Sequence, residues 1–162
     1  MRFPWSPLPQ PPDPGTLTLR RILLASEGRT FPTSAVDFTL RIARPGQVPV
    51  RVFSIARIWG TSLGFPNPGL LPSRRDWDTQ RTLVEEVVGR LRHHGLEAEG
   101  HVIGTRNATK GILTEARRHQ CDAIVMAADP PRHWLAADFI WSQEPYRVRR
   151  RSALPVYLIP IP

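Results

Sequence analysis

Apolar residues along this chain switch repeatedly between two spacings. Residues 19–26 (LRRILLAS) hold a continuous apolar stretch and read as a buried strand, broken at Glu27-Gly28. From 31 to 44 the period becomes helical. Phe31, Ala35, Phe38 and Ile42 form the stripe, Val36, Leu40 and Ala43 widen it, and Pro45-Gly46 ends it. Residues 48–58 predict a second strand. A long loop follows over 59–75, rich in glycine and proline and carrying Trp59, Leu63, Phe65, Leu70 and Leu71. Residues 76–94 predict a helix with Trp77, Val84, Val87, Val88 and Leu91 on one side and Gly95 as its cap. Residues 96–103 predict a partly exposed third strand. Asn107 is placed to cap a helix reaching to about 120, with Ile112, Leu113 and Ala116 inward. A fourth buried strand is expected over 122–128, an irregular aromatic segment over 130–146, the end of a fourth helix over 146–151 and a last strand over 154–161.

Strands that alternate with helices imply a parallel, doubly wound sheet covered on both faces. Right-handed crossovers then favour the strand order 3-2-1-4-5. The ligand crevice of such a sheet lies outside the carboxyl ends of strands 1 and 4, at residues 26–30 and 127–132. Residues 1–17 stand apart as a proline-rich tail ahead of a domain over 18–162. Six of the first fourteen residues are proline, which suits polyproline II and excludes helix or central strand. The tail reads either as disordered or as a docking arm, with Phe3 and Trp5 as its apolar contacts.

Composition narrows the function classes. At 162 residues the chain fits one domain, and 41% hydrophobic with 22% charged residues is ordinary for a globular protein. No apolar run approaches the roughly 20 residues of a membrane span, and proline interrupts the N-terminus where a signal core would lie, so the expected compartment is the cytoplasm. Cys121 is the single cysteine, so no intrachain disulfide forms, and it reads as a packing thiol. The net charge of +8 is carried almost entirely by arginine, with Lys110 the one lysine. His93, His94, His101, His119 and His133 follow no metal-ligand spacing. Glu85 and Glu86 read as a solvated helix face. Ser26 and Ser34 have no histidine partner that spacing establishes, so catalysis is not expected.

Four stretches resemble the universal stress protein family. ILLASEG (22–28) looks like its first strand and turn. HVIGTRNATKGILTEA (101–116) is similar to its third strand, glycine turn and helix. CDAIVMAAD (121–129) looks like its fourth strand, and ALPVYLI (153–159) like its closing strand. The resemblance implies a flavodoxin-like three-layer α/β sandwich that commonly dimerises through its last strand, here 154–161. In one branch a glycine-rich segment followed by Gly-Ser/Thr wraps the phosphates of ATP. Glycine suits this because it lets backbone amides approach phosphate unobstructed. This chain departs from that pattern. Ala127 stands where the family has glycine, and Ala128-Asp129-Pro130-Pro131-Arg132-His133-Trp134 contains none. Two prolines remove amide donors, Asp129 adds negative charge, Ser142 is the nearest match to the Gly-Ser/Thr hydroxyl, and Glu27 replaces an aspartate. No cofactor and no metal are therefore expected. If a nucleotide pocket persists, its positions are Glu27, Gly28, Ala127, Asp129, Arg132 and Ser142.

What the chain lacks in glycine it gains in large apolar groups. Trp134, Phe139, Trp141 and Tyr146 follow the fourth strand, and Phe3, Trp5, Trp59 and Phe65 lie in tail and loop. Arg147-Val148-Arg149-Arg150-Arg151 is the densest charge run. Trp, Tyr and Arg are the types that dominate protein interfaces. The expectation is a non-catalytic binding or regulatory module that acts by protein contacts, as a homodimer or as an accessory subunit of a larger complex, including one at a membrane. Phe3, Trp5, Trp59, Phe65, Trp134, Phe139, Trp141, Arg149, Arg150 and Arg151 are the candidate contact residues. The alternatives are a nucleotide-binding stress regulator with a remodelled pocket and a basic nucleic-acid binder. The second lacks aromatic platforms beside the arginine run.

Overall fold

Ile22–Ala25 forms β1 with all four side chains buried, as a strand with neighbours on both edges and both faces requires. The computed structural model describes residues 9–57, 71–129 and 143–161. After β1 come α1 (Thr33–Ala43), β2 (Val50–Arg57), α2 (Arg74–His93), β3 (Ala98–Thr105), α3 (Ala108–Arg118), β4 (Ala123–Ala128), α4 (Glu144–Arg151) and β5 (Val156–Pro160). All strand pairs are parallel and the order is β3-β2-β1-β4-β5, as the alternation predicts.

The two-residue period of the strands divides the core. Ile22, Leu24, Val52 and Val125 face α1 and α2, where Val36, Leu40, Val84 and Leu91 meet them. Leu23, Phe53, Ile124 and Met126 face α3 and α4, where Ile112, Ala116 and Val148 close the other layer. Cys121 is buried in this second layer, consistent with a packing thiol.

Local signals explain where the helices begin. Ser73 Oγ accepts from Asp76 N at 3.1 Å while Asp76 Oδ2 accepts from Ser73 N at 2.8 Å, a capping box that starts α2 two residues before the apolar pattern does. Asn107 Oδ1 accepts from Lys110 N at 3.0 Å and caps α3 as expected. The predicted stripe of α1 faces the core, and its members divide between the interior and the rim. Ala35, Val36, Thr39, Leu40 and Ala43 are buried, whereas Phe38 and Ile42 lie at the rim. Thr39 is accommodated because its Oγ1 donates to Ala35 O at 2.9 Å.

The described part of the proline-rich segment packs on the domain. Asp13 caps a 3₁₀ turn over Pro14–Thr16, and Leu17 and Leu19 pack against the α1 side of the core. Tyr157 Oη of β5 donates to Pro12 O at 2.7 Å, and Arg149 of α4 donates to Pro9 O. Residues 9–17 thus pass from the α1 layer toward α4 by way of the β5 edge. Among the described residues, no helix is long and apolar enough to cross a membrane.

Candidate functional site

The carboxyl ends of β1 and β4 lie side by side, with Ala25 opposite Met126. The chain leaves β1 through Gly28 at φ +108°, and a Cβ there would sit 2.8 Å from Ile55 O, so the turn admits no side chain. The turn directs Glu27 inward, leaving it 2% exposed. It also carries Arg29 across the crevice. Arg29 Nε meets Glu27 Oε1 at 2.5 Å and its Nη1 meets Asp129 Oδ2 at 2.7 Å. A buried carboxylate without a partner costs several kcal/mol, so the arginine is what permits Glu27 to be internal.

Further bonds fix this cluster. Ser26 Oγ donates to Arg29 O at 2.5 Å, Arg57 Nε to Glu27 O at 2.6 Å and Gln80 Nε2 to Gly28 O at 3.0 Å. Gln80 Oε1 in turn accepts from Ser54 Oγ at 2.6 Å. Tyr146 Oη donates to Asp129 O, and burial together with the Asp129 charge raises its pKa. The cavity left beside Glu27, Arg29, Phe31, Ala35 and Ala127 is about 10 Å³, at the lower limit for a single water. One donor, Arg29 Nη2, is buried there with no partner. With the Ser26 hydroxyl committed to Arg29 O, what the described residues of the crevice offer is charge recognition by the Arg29 guanidinium.

Glu27, Gly28, Ala127 and Asp129 come together here. Arg132 and Ser142 lie outside the described residues, as do Phe3, Trp5, Trp59, Phe65, Trp134, Phe139 and Trp141. Of the arginine run, Arg149 is turned to the Pro9 carbonyl while Arg150 and Arg151 are exposed. Glu27 is paired with Arg29 rather than capping the next helix, since α1 has no side-chain cap at its Pro32 N-cap. The sequence reading missed the second arm of Arg29. Its signal was the register: with Ala25 beside Met126, a side chain four residues past one meets a side chain three past the other. Arg57, Gln80 and Tyr146 carried no such signal.

A second buried charge cluster lies between α3 and the sheet. Glu115, 3% exposed, receives Arg51 Nε at 2.6 Å, lies 3.0 Å from His101 Nδ1 and is 3.5 Å from His119 Nε2. Burial alone would raise the pKa of Glu115, but the bonds from Arg51 and His101 outweigh it and hold it low. His119 is also held low, by burial first and then by the Arg51 charge. Burial pushes the nearby Cys121 thiol up to about 11, which keeps it protonated and unreactive at neutral pH. Among the described residues, no group of histidine, cysteine and acidic side chains is arranged to hold a metal.

The β5 edge is the third feature of interest. Ile124 N donates to Pro155 O at 2.9 Å and Ile161 N to Ala128 O at 3.1 Å, so odd-numbered positions face β4. The N–H groups of Val156 and Leu158 therefore point outward, and Pro160 has none to offer.

The sequence profile of the universal stress protein family matches residues 18–160. The chain belongs to the universal stress protein family. A universal stress protein family member from Burkholderia pseudomallei is 18% identical, with a TM-score of 0.65 over 88% of this chain and 96% of that one. A universal stress protein from Archaeoglobus fulgidus is 19% identical, with a TM-score of 0.64 over 90% and 96%. The A. fulgidus protein in complex with dAMP is 20% identical, with a TM-score of 0.62 over 86% and 96%. At these identities the likeness is one of fold. No curated protein matches the chain. Within its universal stress protein fold, Glu27, Arg29 and Asp129 bridge the strand-end crevice among the described residues.

Proposed function

We propose that this universal stress protein is a non-catalytic binding and regulatory module of the cytoplasm that acts through protein contacts, as a homodimer or as an accessory subunit of a larger complex. The observation that carries the reading is the closed crevice. Among the described residues, Arg29 spans Glu27 and Asp129 and leaves about 10 Å³ beside them, with about 160 Å³ more beside Gly28, Arg57 and Gln80, less than the several hundred Å³ of a nucleotide-sized pocket. The outward N–H groups of Val156 and Leu158, with no backbone partner among the described residues, support self-association, because an unpaired strand edge is a template for another strand. Native mass spectrometry of protein taken from its own cells should show a second copy or another protein and no nucleotide. Thermal unfolding should not shift with millimolar ATP, AMP or cyclic AMP. A nucleotide mass on the folded protein, or a clear rise in Tm with any of the three, overturns the reading.

A nucleotide-binding regulator with a remodelled pocket is the second reading. It is favoured by the unpartnered Arg29 Nη2, a buried donor suited to a phosphate, and by the dAMP held by the A. fulgidus protein. Arg29→Ala separates the two. If Arg29 binds nucleotide, the substitution abolishes a thermal shift that the unaltered protein shows. If Arg29 fills the crevice, the unaltered protein shows no shift to lose.

A further inference from the structure

We propose that the groove between α1 and β5 is a receptor for a proline-rich segment, and that two copies of the chain exchange their arms, residues 9–16, so that each fills the other's groove. This rests on the homodimer half of the reading above and gives that dimer a contact. The resident arm shows the chemistry. Residues 9–16 read PQPPDPGT, with Pro11 and Pro14 in a P-x-x-P spacing. Asp13, at φ −56° and ψ 126°, is close to polyproline II, a helix whose carbonyls make no internal hydrogen bonds and are free for outside donors. Tyr157 Oη donates to Pro12 O at 2.7 Å, and Arg149 donates to Pro9 O. Burial first, and then the Asp13 charge, raise the Tyr157 pKa, which keeps the phenol a donor. The ring of Phe38 lies 5.5 Å from that of Tyr157, and both line the groove with Pro11, Pro12 and Pro14. Aromatic rings that present a donor to a polyproline carbonyl are a recurring way of reading such segments.

The arm sits loosely on its own domain. None of residues 9–16 is buried. About 1110 Å³ stays open between the arm and α1, over Phe38, Ile42 and Val48. Asp13 is the one acid lining this groove and Arg41 the one cation, yet no ion pair joins them. A segment with so little buried surface opens at small cost. Leu17 and Leu19 pack on the core and stay as the anchor, so the opening falls at the turn over Pro14–Thr16. That turn is held by local bonds at its exposed surface: Gly15 N donates to Asp13 Oδ1 and Thr16 N to Asp13 O, each at 2.9 Å. A short turn between an anchored segment and a loosely docked one is a natural hinge for exchange between identical chains.

A second copy is the occupant because every copy carries both halves of the contact. Exchange remakes the Tyr157 and Arg149 bonds between chains and closes two grooves at once. The arm also passes the β5 edge, so exchange brings the second copy to the side where the N–H groups of Val156 and Leu158 point outward. The resident arm competes at an effective concentration in the millimolar range, as short tethers do, so exchange should rise with protein concentration.

The test uses two full-length variants. Gln10→Cys puts a thiol on the arm and Pro45→Cys puts one just past α1, and both positions are exposed and line the groove. Cys121 is buried and protonated, so it stays out of the reaction. When the two chains are mixed and treated with a short bismaleimide, arm and groove can be joined only between copies. Exchange predicts at least fivefold more covalent dimer in the mixture than in either variant alone, with a yield that rises with concentration. Tyr157→Phe in the Pro45→Cys chain should lower the yield about fivefold, as loss of one hydrogen bond does. Pro11→Ser with Pro14→Ser in the Gln10→Cys chain should lower it as well, and these positions lie outside the core, so the domain still folds. No excess of covalent dimer in the mixture, or a yield unchanged by either alteration, overturns the proposal. A dimer seen by native mass spectrometry without that excess would sink arm exchange and leave the homodimer standing. A nucleotide-dependent rise in Tm would sink the reading of the crevice and leave arm exchange standing.

Discussion

Glu27 and Glu115 are both almost fully buried, and each is neutralised by an arginine, yet the two clusters serve different ends. Glu27 takes its arginine from two residues along the same turn, and that arginine is 32% exposed and shared with Asp129. Glu115 takes Arg51 from β2, adds His101 from β3 and His119 from just past its own helix, and its arginine is only 12% exposed. The Glu115 cluster fastens α3 to β2 and β3. The Glu27 cluster sits at the carboxyl ends of the strands, where this class of fold keeps its ligands. A buried charge alone therefore does not mark a site. Its place in the topology does.

The strongest test of this distinction is stability. Arg51→Ala leaves Glu115 buried beside two histidines without its main partner, and the expected cost is about 3–5 kcal/mol by urea denaturation. Glu115→Gln, which keeps the shape and removes the charge, should cost less than Arg51→Ala because no buried ion is left uncompensated. Arg29→Ala should cost only about 1–3 kcal/mol, since a third of that side chain already meets solvent and water can replace it. Losses of equal size from Arg51→Ala and Arg29→Ala would erase the difference between the clusters.

How far each cluster was legible follows from the same contrast. The apolar run at Ala123–Ala128 and the cap at Asn107 are local signals, and both elements form where they point. The inward face of α1 was legible as a set, since Phe31, Phe38 and Ile42 pack against the core that buries Ala35, Val36, Leu40 and Ala43, but which of them go deepest was not. Close approach of helix to sheet instead favours the small Ala35 and Ala43, with Thr39 satisfied on its own backbone. Glu27 could be placed at the crevice from sequence because it directly follows a strand. The reach of Arg29 to Asp129 needs the β1–β4 register, and the two are 100 residues apart. Glu115 was not legible as a site residue at all. Its arginine lies 64 residues away, and a lone glutamate among arginines on a helix reads as a surface group until the layer above it is known.

The smallest effect separates the clusters by pH. Both resolved shifts at the α3 cluster run the same way. His119 is held below its ordinary value of 6.5, so as pH falls past that value the unfolded chain gains a proton before the folded one does. Stability then falls with falling pH. Glu115 is held below its ordinary 4.5, so the stabilisation it gives is present above that value and is lost as pH falls through the lower folded pKa. Urea midpoints measured from about pH 8 down to about pH 3 should therefore decline in two stages, the histidine stage first. His119→Gln should remove the first stage and leave the second, because the Arg51 bond to Glu115 remains. Arg29→Ala should lower the curve and leave the histidine stage in place, because His119 belongs to the other cluster. A curve whose first stage vanished with Arg29→Ala, or persisted in His119→Gln, would mean that the crevice and not the α3 layer governs the acid response.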